Sequence, residues 1–427
     1  MAEDEQEKET ISRSKNKKKE RIKEHNKRSI QEDNLSLLPQ SDNQTLSLKQ
    51  KIKRYTQYNL KPKPLTLFLC VLVLIGMVWA IDYLHNNLLN SHNNIPLSSK
   101  KSDRLQMTFV GDMMMARGNQ RQANQQGYDH FFQKSKYLWQ KSDLVVGNLE
   151  SALITNKMKV RQNSDKDIHL LMKPEGVSAM KRAGFTTLGT ANDHVGDYGK
   201  RGIQQELNYF KKNNIDSIGT GNYASNALKY QIYDINGVKV SLLAVTDIIP
   251  KHTSVKQTKP GALTTNNDDY LNLIKEASAH SDYTIVYSHW GFENGLTVTD
   301  RQKELGKKMI DAGADMVVGM HAHVLQSIDK YKNGLILNGM GNFVFEQEQS
   351  RTKDSVVANL RMTKNGQMKL ELIPMRIKDG VPSVTRNPLY KRRIYHQLTK
   401  DLPQSSFQKH KDTIVVDNFG YNYQFTK

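Results

Sequence analysis

From Leu105 onward the chain is built of short apolar runs, and most of them end in a glycine, asparagine, aspartate or histidine. Met107–Val110 runs into Gly111-Asp112, Leu144–Val146 into Gly147-Asn148-Leu149-Glu150, and Phe185–Leu188 toward Asn192-Asp193-His194. Val238–Val245 is a further run, Thr284–Tyr287 leads to His289, Met316–Val318 to His321-Ala322-His323, and Leu335–Asn338 to Gly341-Asn342-Phe343. Runs of about four to eight apolar residues bounded by turn formers read as buried strands. Between several of them lie helical patterns, at Val177–Ala183, Gly202–Asn213, Tyr270–Ala279 and Arg301–Ala312. Strands alternating with helices predict a layered α/β fold. Ser355–Met362, Gln367–Ile373 and Thr413–Gln424 read as a later, strand-rich stretch, and no tandem repeat is present.

The chain has 427 residues, 37% of them hydrophobic, enough for a real core once the polar ends are set aside. Of its net charge of +19, the first 63 residues carry +6, from 16 Lys and Arg against 10 Asp and Glu, with basic runs such as Lys17-Lys18-Lys19. A localised basic arm points to an anionic surface beside that arm, a lipid headgroup layer, and away from a nucleic-acid-binding body. The single cysteine, Cys70, excludes an intrachain disulfide and leans toward a bacterial rather than a eukaryotic surface protein. Leu65–Ile81 is the one long apolar stretch, about 26 Å as a helix against a hydrocarbon core of about 30 Å. Lysines lie before it and Asp82 after it, so the positive-inside rule predicts a single-pass anchor with a cytoplasmic N-terminus. A buried core helix and a cleaved signal peptide are the rival readings; no Ala-x-Ala site follows the run. The expected organisation is a disordered basic cytoplasmic arm (1–63), a transmembrane anchor (64–83), a linker (84–104), a main extracellular domain (105–380) and a C-terminal extension (381–427) open to completing the sheet.

Polar residues placed just after strand ends can converge on one rim of a sheet, where ligand sites of α/β folds tend to lie. The set is Asp112, Asn148, Glu150, Asp193, His194, His289, Glu293, His321, His323 and Asn342. A Gly-Asp after a strand is by itself a plain turn more often than a ligand, and Glu150 alone reads equally as a helix cap. In His321-Ala322-His323, alternate residues of an extended segment point the same way, whereas a turn divides the pair between two roles. Imidazoles and carboxylates at successive strand ends are ligands suited to Zn, Fe or Mn, and together suggest a site for one or two divalent ions of hydrolytic type. Arg117 is a candidate anion contact, against the plainer reading of a solvated helix side chain.

These motifs resemble the CapA/PgsA family, the poly-gamma-glutamate capsule-synthesis proteins of bacteria, related to calcineurin-like metallophosphoesterases. The resemblance lies in Phe109-Val-Gly-Asp-Met-Met-Met-Ala-Arg117, Asp143-Leu-Val-Val-Gly-Asn-Leu-Glu150, Ala191-Asn-Asp-His-Val-Gly-Asp-Tyr-Gly199, Ser288-His-Trp-Gly-Phe-Glu293, Asp311-Ala-Gly-Ala-Asp315, Gly319-Met-His-Ala-His-Val-Leu-Gln326 and Gly339-Met-Gly-Asn-Phe-Val-Phe345, and spans roughly residues 105–380. It implies a four-layer α/β/β/α sandwich. It places Asp112, Glu150, Asp193, His289, His321 and His323 as metal ligands, His194 and His323 in catalytic or phosphate-contacting roles, and Arg117, Asn148, Glu293 and Asn342 at the substrate. The chain departs from the related pattern at Met114, where a histidine is usual, at Glu150 in place of an aspartate, at Asp193 in place of an asparagine, and at Ala322 in place of a proline. The role implied is in polymer synthesis or export, beside an ATP-dependent poly-gamma-glutamate ligase and small membrane subunits, because the chain has no Gly-rich nucleotide loop of its own. A metal-dependent surface hydrolase and a non-catalytic, polymer-binding assembly subunit are the alternatives.

Overall fold

The structure is a computed structural model that describes residues 64–88, 103–155, 160–164, 166–227, 229–250, 253–256, 259–417 and 419–420. The basic arm, most of the expected linker and the end of the Thr413–Gln424 stretch lie outside the described residues. The chain divides into two compact units, 1–81 and 82–427.

In the first unit the apolar stretch begins helix α1 (Pro64–Leu88). Among the described residues no helix is long and apolar enough to cross a membrane. This overturns the expected transmembrane anchor and the cytoplasmic and extracellular placements and lipid contact that followed from it. The apolar run covers only Leu65–Ile81, and the last turns of α1 carry Asp82, His85, Asn86 and Asn87. At about 1.5 Å per residue the run falls short of the hydrocarbon thickness.

The second unit begins with β1 (Leu105–Met113), α2 (Arg117–Gln126), β2 (Leu144–Leu149), α3 (Glu175–Ala183), β3 (Thr187–Gly189), α4 (Gly199–Lys212) and β4 (Asp216–Ile218). It continues with β5 (Gln231–Ile235), β6 (Val238–Thr246), α5 (Asp269–His280), β7 (Tyr283–His289), α6 (Asp300–Asp311), β8 (Met316–Met320), β9 (Ile328–Tyr331), β10 (Gly334–Leu337) and β11 (Asn342–Val344). It closes with β12 (Asp354–Met362), β13 (Met368–Lys378), β14 (Val381–Val384), α7 (Pro388–Thr399), β15 (Phe407–Lys409) and β16 (Ile414–Val416). One sheet runs β15-β16-β13-β12-β1-β2-β3-β4, with β11 also on β1 and β14 on β13; the other runs β9-β10-β8-β7-β6-β5.

Side chains alternate across a strand, so each sheet must bury two faces. Met107 and Phe109 of β1 meet Leu242 and Ala244 of β6 and Ile285 and Tyr287 of β7 in one core between the sheets. The alternate residues Val110, Val145 and Leu188 face outward to α3, through Val177 and Met180. Leu243, Val286 and Val317 face outward to α5 and α6, through Ile274, Leu305 and Met309. The body is thus a mixed α/β fold with two sheets inside and helices outside. The Phe109 and Tyr287 rings, 6.0 Å apart, sit across the sheet interface, and the Tyr287 hydroxyl donates to the Val146 carbonyl at 3.1 Å.

The order of the sheets sets the site. β1, β2 and β3 are parallel in one sheet, and β6, β7 and β8 are parallel in the other. Their carboxyl ends carry Asp112, Asn148 and His289, with Glu150, Asp193, His321 and His323 in the loops just beyond.

Candidate metal centre

Three overlapping groups form at these strand ends, each with ligand atoms within 4.8 Å of one another: Asp112 with Glu150 and His323, Asp193 with His289 and His321, and Glu150 with Asp193 and His194. Both sheets contribute to the first two. His323 stands 3.5 Å by Nδ1 from Asp112 Oδ2 and 3.4 Å by Nε2 from Glu150 Oε1. His289 Nε2 is 3.0 Å from Asp193 Oδ1, and His194 Nε2 is 3.4 Å from Asp193 Oδ2.

The backbone after β8 explains how two histidines two residues apart reach different groups. His321 (φ 87°) and His323 (φ 56°) both adopt left-handed conformations, which L-residues occupy at a cost. The turn sends His321 to Asp193 and His289, and His323 to Asp112 and Glu150. Asp112 Oδ2 accepts from the His321 N–H at 3.1 Å and so fastens the turn to β1.

The remaining polar residues orient these side chains. Asn148 donates to Asp112 Oδ1 at 2.8 Å, and its own Oδ1 accepts from Asn192 at 3.4 Å. Asn342 places its Oδ1 3.0 Å from His323 Nδ1 while its amide donates to Gln347 and to the Thr352 carbonyl. The Phe345 ring lies 4.6 Å from the His323 ring. Met114 is fully buried beside Phe345 and Leu170, so an apolar contact occupies the position where the related pattern has a histidine.

The electrostatics describe a place built for positive charge. Burial, then Asp112 and Asp193, push the Glu150 carboxyl well above its ordinary range. Burial opposes ionisation of Asp193 and Asp112 too, but hydrogen bonding to His289 holds Asp193 well below its usual value, and hydrogen bonding to His323 lowers Asp112. Burial, then the neighbouring His289, push His321 down to about 3, so its imidazole is neutral at physiological pH. Burial alone would lower His323, yet the Asp112 carboxylate raises it. Glu150 Oε2 and His321 Nδ1 are buried with no hydrogen-bond partner among the described residues. A buried carboxylate oxygen and a buried imidazole nitrogen left unsatisfied are costly in isolation and suit ligation of a cation. The donor set therefore fits one or two divalent ions.

Three further residues surround His194 that strand-end reasoning did not single out. Asp197, fully buried, accepts from or shares a proton with His194 Nδ1 at 2.8 Å through Oδ2, and its Oδ1 accepts from Lys166 Nζ at 2.6 Å. Asn192 Oδ1 accepts from the His194 N–H at 3.0 Å. Arg117 and Glu293 stand apart from the ligand groups. Arg117 is paired with Glu346 Oε1 at 2.9 Å, and Glu293 is exposed on the loop after β7, near enough to act on the charges of Glu150 and His323.

A model of the family described as "Bacterial capsule synthesis protein PGA_cap" matches residues 106–347, a stretch that contains every residue of these groups. The chain belongs to that family. Among PGA_cap relatives, the "Capsule biosynthesis protein CapA" of Bacillus anthracis is 36% identical over 84% of this chain and 87% of its own length. The "PGA biosynthesis protein CapA" of Bacillus subtilis is 34% identical over 83% of this chain and 92% of its own. Among solved structures, the calcineurin-like phosphoesterase YfkN of Bacillus subtilis aligns with 66% of this PGA_cap chain and 89% of its own at 13% identity and a TM-score of 0.33, too slight a likeness to argue from.

Proposed function

We propose that this chain takes part in poly-gamma-glutamate capsule synthesis and that its buried carboxylate–imidazole site holds one or two divalent cations with which it acts on its substrate. The supporting observation is the coincidence of a PGA_cap sequence with three overlapping, buried ligand groups where the strand ends of both sheets meet. The relatives' names, capsule and PGA biosynthesis, point the same way. In this reading the two-sheet body is a calcineurin-like metallophosphoesterase fold. An anionic polymer is the material handled, and ATP-dependent ligation falls to a partner ligase with its small membrane subunits.

Asp112, Glu150 and His323 would hold one ion, and Asp193, His289 and His321 a second. A cation so held supplies Lewis acidity toward a carbonyl or phosphoryl oxygen. Asn148 fixes the Asp112 carboxylate through its 2.8 Å hydrogen bond, and Asn342 fixes the ring plane of His323. With Nδ1 of His194 engaged by Asp197, its Nε2 faces the site as the atom that exchanges a proton with the substrate. Arg117 and Glu293, outside the ligand groups, would meet the substrate, and Asn342, fully buried, acts on it only through His323. The Asp197–His194 pair holds the imidazole in one orientation, as an acid–base group requires.

The test is metal content of the purified chain beside His321→Ala/His323→Ala, with polymer formation measured in capsule-forming cells carrying each version. Stoichiometric metal in the first, lost in the second together with polymer, is the expected result. A double variant that keeps its metal and sustains polymer formation would sink the proposal.

A further inference from the structure

We propose that the groove at the start of α2 is a binding subsite for a polyamide bearing free carboxylates, such as a γ-linked glutamyl chain. This rests on the capsule-synthesis reading above and names the chemistry that the neighbouring centre receives.

Helix α2, Arg-Gly-Asn-Gln-Arg-Gln-Ala-Asn-Gln-Gln, has no apolar stripe; its buried residues are Asn119 and Ala123 alone. A surface helix is ordinarily held by its hydrophobic face, and one that is polar all round needs another reason to be there. Beside it lies a cavity of about 510 Å³ lined by Gly118, Arg121, Gln122, Gln125 and Glu346. The charges of this groove do not cancel. Arg117, in a left-handed conformation (φ 49°) that turns the chain into α2, already neutralises Glu346 at 2.9 Å. Arg121, one turn further on, is exposed and makes no ion pair or hydrogen bond among the described residues. A free guanidinium in a polar groove is matched to a carboxylate, which it can bind with two parallel hydrogen bonds.

A second observation concerns the amide. Gln122 Oε1 is buried with no donor among the described residues. An acceptor in that state is satisfied by an incoming N–H, and an amide-linked chain carries one in every repeat. Arg121 thus asks for a carboxylate and Gln122 for an amide proton, a combination that a phosphate ester or a neutral polysaccharide lacks.

The groove's walls connect to the centre through short segments of chain. Its wall residue Glu346 directly follows Phe345, whose ring lies 4.6 Å from His323. The other wall begins at Arg117, five residues beyond Asp112, and Asn342, which orients His323, also donates to Gln347. A chain held along α2 would lie beside the segments that carry the ligand groups.

The experiment is calorimetric titration of the full-length protein with poly-gamma-glutamate of defined length and, separately, with polyacrylate, which has the carboxylates without the amides. Arg121→Gln is expected to weaken poly-gamma-glutamate binding about tenfold, the scale of one charge-assisted contact. Gln122→Leu is expected to weaken poly-gamma-glutamate severalfold and to leave polyacrylate unchanged. Arg121 is exposed, so its replacement reads binding even where Gln122→Leu perturbs folding. If the wild-type protein binds the polymer and both variants bind it equally well, the groove assignment is overturned while the capsule reading stands. A Gln122→Leu loss shared equally by polyacrylate overturns the amide recognition. Wild-type protein that binds no polymer overturns the groove as well. Polymer formation in cells carrying the His321→Ala/His323→Ala variant then decides separately whether the capsule reading falls with it.

Discussion

Asp197 serves three groups from a fully buried position: Lys166 at 2.6 Å, the His194 ring at 2.8 Å and the Leu170 N–H at 2.7 Å. The Lys166 side chain is itself only 10% exposed, so removing the carboxylate charge strands a buried ammonium. Asp197→Asn should cost about 3–5 kcal/mol of folding stability, measured by urea denaturation; a loss below about 1 kcal/mol would show that Lys166 reaches solvent instead. A different outcome is expected at Asn342, whose backbone pairs with Asp112 and whose side chain hydrogen-bonds one ligand-group residue, His323. Asn342→Leu should cost about 1–3 kcal/mol of stability, because the buried Thr352 carbonyl loses its donor, and lower metal affinity of the folded protein about 10–100-fold in a direct titration, because the ring loses the partner that orients it. The residues that converge could be picked out because histidines and carboxylates recur after several apolar runs, although each alone reads as a plain turn or cap. Asp197 lies inside one of the recognisable segments, yet nothing in its spacing signals a bond to His194. Lys166 comes from a loop with no motif at all, and only the folded chain brings it to Asp193 and Asp197.

Most helices and strands with an apolar face could be read from the sequence. The pattern Gly202–Asn213 corresponds to α4 and Arg301–Ala312 to α6, where Thr299 and Gln302 form a capping box. Helix α2, polar all round, carries no 3.6-residue apolar stripe and was not anticipated; α7, rich in Lys and Arg and capped by Asn387, was not anticipated either, although Ile394, Tyr395 and Leu398 give it a buried face. Helix α4 also contains a charge that its pattern hides. Glu206 is buried and accepts from the Leu153 N–H at 2.9 Å, and burial, reinforced by Asp197, pushes its carboxyl up to about 8. In the unfolded chain the same group titrates near 4.5. Between those values the folded state holds a proton that the unfolded state has released, so this contribution is complete below about pH 4.5 and is lost as pH rises through about 8. Glu206→Gln keeps the acceptor and removes the titration. It should match the wild type near pH 4.5 and grow relatively more stable toward pH 8, as followed by thermal melting; parallel curves for the two proteins would refute the assignment.

At the scale of the molecule, the two sheets are held together by the core around Phe109 and Tyr287 and, at one end, by ligand groups drawn from both. An ion bound there fastens one sheet to the other. Chelation should therefore lower the melting temperature of the whole body in one transition, with a stabilisation of about 2.7 kcal/mol restored when metal is present at a hundred times its dissociation constant. A melting temperature indifferent to chelator and metal alike would mean that the groups stay empty. The layered architecture was readable because strand and helix patterns alternate. The apolar segment near residue 70 was not, because a largely apolar run of seventeen residues suggests a membrane span while the helix that contains it turns polar too soon.

The ligand groups are scattered from Asp112 to His323, with Asn342 behind them, and β1 sits between β2 and β12. During synthesis, then, the first ligand leaves the ribosome more than two hundred residues before the last. No earlier fragment can chelate as the finished pocket does, and β12 must still dock before β1 has both its neighbours. Ion capture becomes an event of a chain made through β12: a cell that loads metal here has, in the same act, inspected the protein for having brought its two sheets together.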